Sequence, residues 1–140
     1  MEISYRFNEV PPIEKVIELY KNCGLPRPVN DKERMKKMYD SSNFIITAWD
    51  GEKLVGVCRC ITDWTWCTYL ADLAVHTDYQ KHKIGKRLID LTRERLEEQT
   101  MILLLSVPSA FEYYPKVGFD KENRAFSIPR KKGVLNYNWL

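Results

Sequence analysis

A chain of 140 residues with 44% hydrophobic and 29% charged side chains has the apolar material for one substantial core. Its net charge of +3 is too small to argue for nucleic acid, and no apolar run approaches the roughly 18 residues that span a bilayer. The charged, strand-like opening Met1-Glu2-Ile3-Ser4-Tyr5-Arg6 predicts no secretory leader, so a cytoplasmic location is expected.

In chain order, residues 3–7 read as an opening strand. Pro11-Pro12 leads into a helix over 13–23, where Ile13, Val16, Ile17 and Tyr20 keep helical spacing. Pro26 and Pro28 force a loop over 24–28. Asn30 or Asp31 then caps a second helix running to about Tyr39, with Met35, Met38 and Tyr39 inward. Residues 43–49 read as a strand, Asp50-Gly51 as a tight turn, and 53–62 as the antiparallel partner.

A turn near 63–65 precedes a nearly continuous apolar strand ending at Val75, which completes a three-strand meander. From Ile84 to Leu96 a helix sets Leu88 and Leu91 on one face beside Ile89 and Leu96. Residues 101–107 read as a strand buried on both faces, and Ser109 as the cap of a short helix over 110–114. Gly118-Phe119 and Phe126-Ser127-Ile128 suggest short final strands, while residues 130–140 carry no clear pattern. The result is an α/β fold in a single domain over 1–140, a central mixed sheet flanked by helices.

Between the central strand and the third helix lies Gln80-Lys81-His82-Lys83-Ile84-Gly85-Lys86. Free N–H groups at a helix start, the positive end of its dipole and several cations make an anion site, and Gly85 lets a bulky anion approach the backbone. The predicted guest is a pyrophosphate; the alternative is a solvated basic cap that binds nothing. The cysteines at 23, 58, 60 and 67 lack the spacing and the fourth ligand of a zinc site, so no metal is expected and reduced core thiols are the better reading.

Residues 80–86 resemble the acyl-CoA-binding signature of the GNAT superfamily of N-acetyltransferases, Gln/Arg-x-x-Gly-x-Gly/Ala. Gln80 and Gly85 match, and Lys83 stands at the first glycine. Tyr113-Tyr114-Pro115-Lys116-Val117-Gly118-Phe119 resembles the family's Phe-Tyr-x-x-Leu-Gly-Phe block, and Leu54-Val55-Gly56 and Asp72-Leu73-Ala74-Val75 sit where the family has similar strands. The resemblance covers nearly the whole chain. It implies a cleft between two splayed parallel strands, with the pantetheine amides of acetyl-CoA pairing along Leu73, Ala74 and Val75. It also implies that Gln80, Lys81, His82, Lys83, Ile84, Gly85 and Lys86 hold the pyrophosphate. Tyr114 takes the position of the tyrosine that lies against the cofactor and protonates the departing thiolate.

A phenol with a pKa near ten is protonated at neutral pH and can donate that proton; the other reading of Tyr114 is a packing aromatic. Asp72 is a candidate general base, if partial burial raises its pKa, or else a strand-face carboxylate paired with a lysine or arginine. His76 is a second candidate base, and water a third route for the proton. Trp49, Trp64, Trp66 and Tyr69 are candidates to line an amine pocket, as is the 24–28 loop. Direct transfer in a ternary complex to a small-molecule amine or a peptide amino group is expected, with an acyl-Cys67 intermediate as its rival. A catalytically inactive CoA-sensing or protein-binding module of the same fold is the alternative, and a homodimer is possible.

Overall fold

The computed structural model describes residues 1–131, in two compact units, Met1–Leu104 and a second that begins at Leu105. In the first unit five strands pair in sequence order: β1 (Ser4–Phe7), β2 (Phe44–Asp50), β3 (Lys53–Thr62), β4 (Cys67–Val75) and β5 (Met101–Leu103). The first four pair antiparallel, and β5 joins β4 in parallel, so the sheet is mixed.

Three helices flank the sheet. In α1 (Ile13–Cys23), Ile13, Val16, Leu19 and Tyr20 are buried, and the helix stops at Gly24, whose left-handed φ of 74° suits a residue without Cβ. In α2 (Lys32–Asp40), Asp31 is the cap and accepts from the Arg34 N–H, with Met35 and Tyr39 inward and Met38 half-buried. These side chains pack with Ile45, Trp49, Leu54, Val57 and Ala74 of the sheet into one apolar cluster. In α3 (Ile84–Leu96), Ile84, Leu88, Ile89, Leu91, Thr92 and Leu96 are buried. Gly56 of β3 lets this helix approach closely: a Cβ there would lie 3.1 Å from Ile84 and 3.2 Å from both Leu88 and Ala48.

Two irregularities in β3 and β4 bear on function. Arg59 pairs with Asp72 but Cys60 pairs with Leu70, so Ala71 is the extra residue of a bulge in β4. In addition, β5 pairs only with Cys67, Thr68 and Tyr69 of β4. From Leu70 onward, therefore, β4 has one edge without a neighbouring strand among the described residues.

The expected strand over 101–107 is only three residues long, and it is not buried on both faces: Met101 is 51% exposed. An edge strand with so little pairing has just one neighbour to bury it. In the second unit two 3-10 turns, Pro108–Ala110 and Tyr114–Val117, replace the expected helix; Val107 rather than Ser109 is the residue preceding the first. The final strands expected at Gly118-Phe119 and 126–128 do not form. Phe126 and Ile128 are 98% and 93% exposed, apolar residues with β propensity but no ladder to join among the described residues. Of the patternless segment, residues 132–140 lie outside the described residues.

Candidate active site

The chain leaves β4 through a 3-10 turn, Thr77–His82, and reaches α3 at Lys83. The Asn22 side chain pins the turn by accepting from the Thr77 N–H at 2.9 Å, and the Tyr79 hydroxyl donates to Asp50 at 2.6 Å. Nδ1 of His76 accepts from the Asp78 N–H at 3.2 Å, which fixes the ring against the turn. Lys83 itself is left-handed, with φ 59° and ψ 23°. That conformation favours glycine, the residue the signature carries here, so Lys83 preserves the backbone path at a cost of about 1 kcal/mol.

Beyond it, the N–H groups of Ile84, Gly85 and Lys86 lie in the first turn of α3, where no preceding carbonyl of the helix can accept from them; the ladder begins with Arg87 N–H to Lys83 C=O at 3.0 Å. Lys81, His82 and Lys83 are exposed, and Lys86 bonds to Asp90 at 2.7 Å. Ile84 turns its side chain into the core and offers only its N–H. The donor set fits an anionic, phosphate-like group.

The open edge of β4 runs directly into this turn. His76 N–H bonds to Val55 C=O at 2.8 Å, so the antiparallel alternation turns the peptide groups of Ala74 toward β3 and those of Leu73 and Val75 toward the open edge. Two carbonyls on that side are already filled. Gln80 Nε2 donates to Val75 C=O at 3.0 Å, and Arg27 Nη2 donates to the bulge carbonyl of Ala71 at 2.8 Å. Within residues 1–104, the Leu73 N–H and C=O and the Val75 N–H have no partner there. An extended, amide-bearing ligand can pair with such an edge as a strand would.

Asp72, next to the bulge, is wholly buried. Its Oδ1 accepts from Arg27 Nε at 2.6 Å, and its Oδ2 from Arg59 Nε at 2.8 Å and the Tyr20 hydroxyl at 2.6 Å. Tyr20 and Tyr39 share a short hydroxyl hydrogen bond, and Arg59 reaches on to Ser42 Oγ at 3.0 Å. Burial alone would raise the carboxyl's pKa, but the Arg27 charge, the bond and charge of Arg59 and the Tyr20 bond outweigh it and hold it below the ordinary value. The raised pKa expected of a base at Asp72 is thus corrected: with both oxygens engaged by cations, this group is a poor proton acceptor. Conversely, burial and the adjacent carboxylate push the Tyr20 phenol well up, so it remains a donor. Sequence reasoning named Asp72 but missed Arg27 and Arg59. A lone arginine within the apolar run of β3 was the available signal.

In the second unit, Tyr114 is half-buried at the start of its turn, with its ring edge-on to Tyr113 at 5.3 Å and to Phe119 at 5.5 Å. Its carbonyl accepts from the N–H groups of Gly118 and Phe119, and Gly118 has φ 104°. The glycine of the Tyr-x-x-x-Gly-Phe block is therefore there to close the turn. Of the candidate pocket aromatics, Trp49 belongs to the core, whereas Trp66 is 78% exposed. The cysteines are all free: Cys58 and Cys60 are buried as expected, but Cys67 is exposed with its thiol toward Asp63 at 3.7 Å. Among the described residues no helix is long and apolar enough to cross a membrane, and no cluster of metal-ligating side chains occurs.

The model of the acetyltransferase (GNAT) family matches residues 13–119. An uncharacterised N-acetyltransferase of Prochlorococcus marinus is 26% identical over 130 residues, which is 86% of this chain and 71% of that protein. Among solved structures, a probable acetyltransferase from meticillin-resistant Staphylococcus aureus superposes with a TM-score of 0.78 at 23% identity, covering 93% of this chain and 99% of that one. A GNAT-family protein of Streptococcus pneumoniae gives 0.75 at 23% identity, covering 93% and 100%. With the family matched across both the turn before α3 and the tyrosine block, the chain belongs to the GNAT family, the acyl-CoA-dependent N-acetyltransferases.

Proposed function

We propose that this protein transfers an acetyl group from acetyl-CoA to a primary amine, a small molecule or an amino terminus, directly within a ternary complex. The observation that carries the reading is the edge of β4 left open beyond Tyr69, running into the left-handed Lys83 turn and the first N–H groups of α3. Leu73 and Val75 pair with the amides of the pantetheine arm. The N–H groups of Ile84, Gly85 and Lys86, with Lys81, His82, Lys83 and Gln80 around them, hold the pyrophosphate.

Acetyl-CoA supplies an activated thioester whose thiolate is a tolerable leaving group, so the chain needs chiefly to position the reactants and to supply one acid. Tyr114 is that acid, supported by its place in the tyrosine block. The amine's proton leaves through water, because the carboxylate of Asp72 is committed to two arginines. The test incubates the protein with acetyl-CoA and a panel of amines and peptides, reading thiol release and acetylated product by mass. Acetylated product from at least one amine is expected. Binding of CoA with no transfer to any of them would instead favour a CoA-sensing module.

A further inference from the structure

On the reading of β4 as the acetyl-CoA edge, we infer that Arg27 is a positioning residue that ends this edge at Leu73. Its guanidinium divides three donors among three acceptors: Nε to Asp72 Oδ1 at 2.6 Å, Nη1 to Pro26 C=O at 2.7 Å and Nη2 to Ala71 C=O at 2.8 Å. Ala71 is the bulge residue of β4, without a partner on β3, and its carbonyl would otherwise be the next acceptor along the open edge. Capped by Arg27, it is closed to a ligand arm. At the other end Gln80 closes the Val75 carbonyl.

The usable edge is thus a window of one carbonyl, at Leu73, and two N–H groups, at Leu73 and Val75. A fixed window fixes how far the pantetheine arm runs, and so where the thioester carbonyl comes to rest. The clamp is held from behind: Asp72, which orients Arg27, is itself gripped by Arg59 and Tyr20, and the cation sits on the loop joining α1 to α2. A fork with separately directed donors is needed, which a lysine cannot supply.

The test compares wild type with Arg27→Lys, which keeps a cation for Asp72 but cannot also reach both carbonyls. Three quantities are read: the melting temperature, the dissociation constant of acetyl-CoA, and the carbonyl resonance of bound acetyl-CoA carrying carbon-13 in its acetyl group. Wild type should give one sharp bound resonance. Arg27→Lys should melt a few degrees lower and bind within threefold of wild type, with the bound resonance displaced or split as the thioester loses its single resting place. An unchanged resonance in the variant overturns the role of Arg27 and leaves the acetyl-CoA reading standing. Affinity falling more than tenfold along with the melting temperature makes Arg27 only a structural brace and also overturns it. If wild type does not bind acetyl-CoA, the reading of the site fails and this inference with it.

Discussion

Replacing Asp72 by asparagine tests the buried cluster most severely. The substitution keeps the side-chain shape but leaves two guanidinium groups facing a neutral amide. Arg59 has a side-chain exposure of 9% and Arg27 of 19%, against 0% for Asp72. Removing one partner of a buried pair costs about 3–5 kcal/mol. Water at the more exposed Arg27 recovers part of its hydration, so the lower end applies, about 3 kcal/mol, or a fall in melting temperature on the order of 10 °C.

The sign of the pH dependence follows from the depressed carboxyl pKa. A depressed group stabilises the fold fully above the unfolded carboxyl's pKa, and that contribution is lost as pH falls through the folded value. Urea unfolding of wild type and Asp72→Asn should therefore show a constant gap from neutral pH down to about 4, closing only below it. A gap already closing between pH 7 and 5 would mean a raised pKa, as a general base has, and would refute this account of Asp72. So would a loss at neutral pH below about 1 kcal/mol.

Other outcomes follow from single positions. Lys83→Gly should relieve the left-handed strain at φ 59°. After the entropy cost of glycine, stability rises by at most roughly 0.5 kcal/mol in thermal melts, and a clearly lower melting temperature argues that the turn is not strained. Gly56→Ala places a methyl 3.1–3.2 Å from Ile84, Leu88 and Ala48. It should cost about 1–3 kcal/mol by urea unfolding, whereas a neutral result would mean α3 is free to move outward. Tyr114→Phe should lower turnover about a hundredfold with little change in acetyl-CoA affinity; equal losses in both would remove Tyr114 from the acid role.

Much of the sheet was legible in the sequence because local signals agreed with one another. Asp50-Gly51 joins two apolar runs, and the structure makes them β2 and β3; the apolar spacing of α3 likewise matches its buried face. What was not legible depended on partners distant in sequence. Residues 101–107 look like an interior strand by composition, yet only 101–103 pair, with Cys67, Thr68 and Tyr69 of β4, and nothing in the local composition marks where that pairing stops. Phe126 and Ile128 have strand-like side chains but no neighbouring strand among the described residues. The basic turn before α3 could be singled out from its lysines and Gly85, but the left-handed backbone at Lys83 could not, since lysine gives no local hint of it. Asp72 was recognised as either base or ion-pair partner. Only the register, which sets it opposite Arg59 and within reach of Arg27, reveals its ion-pair partners.

The central claim is that the open edge of β4 and the start of α3 form one acetyl-CoA site, and a thermal melt with acetyl-CoA, CoA and ATP in parallel addresses it most directly. Ligand at a hundred times its dissociation constant adds about 2.7 kcal/mol, several degrees in a domain of this size. The account predicts such a shift with both CoA forms and a smaller one with ATP, which has phosphates for the turn but no pantetheine arm for Leu73 and Val75. No shift at millimolar acetyl-CoA, or an equal shift with ATP, would contradict it.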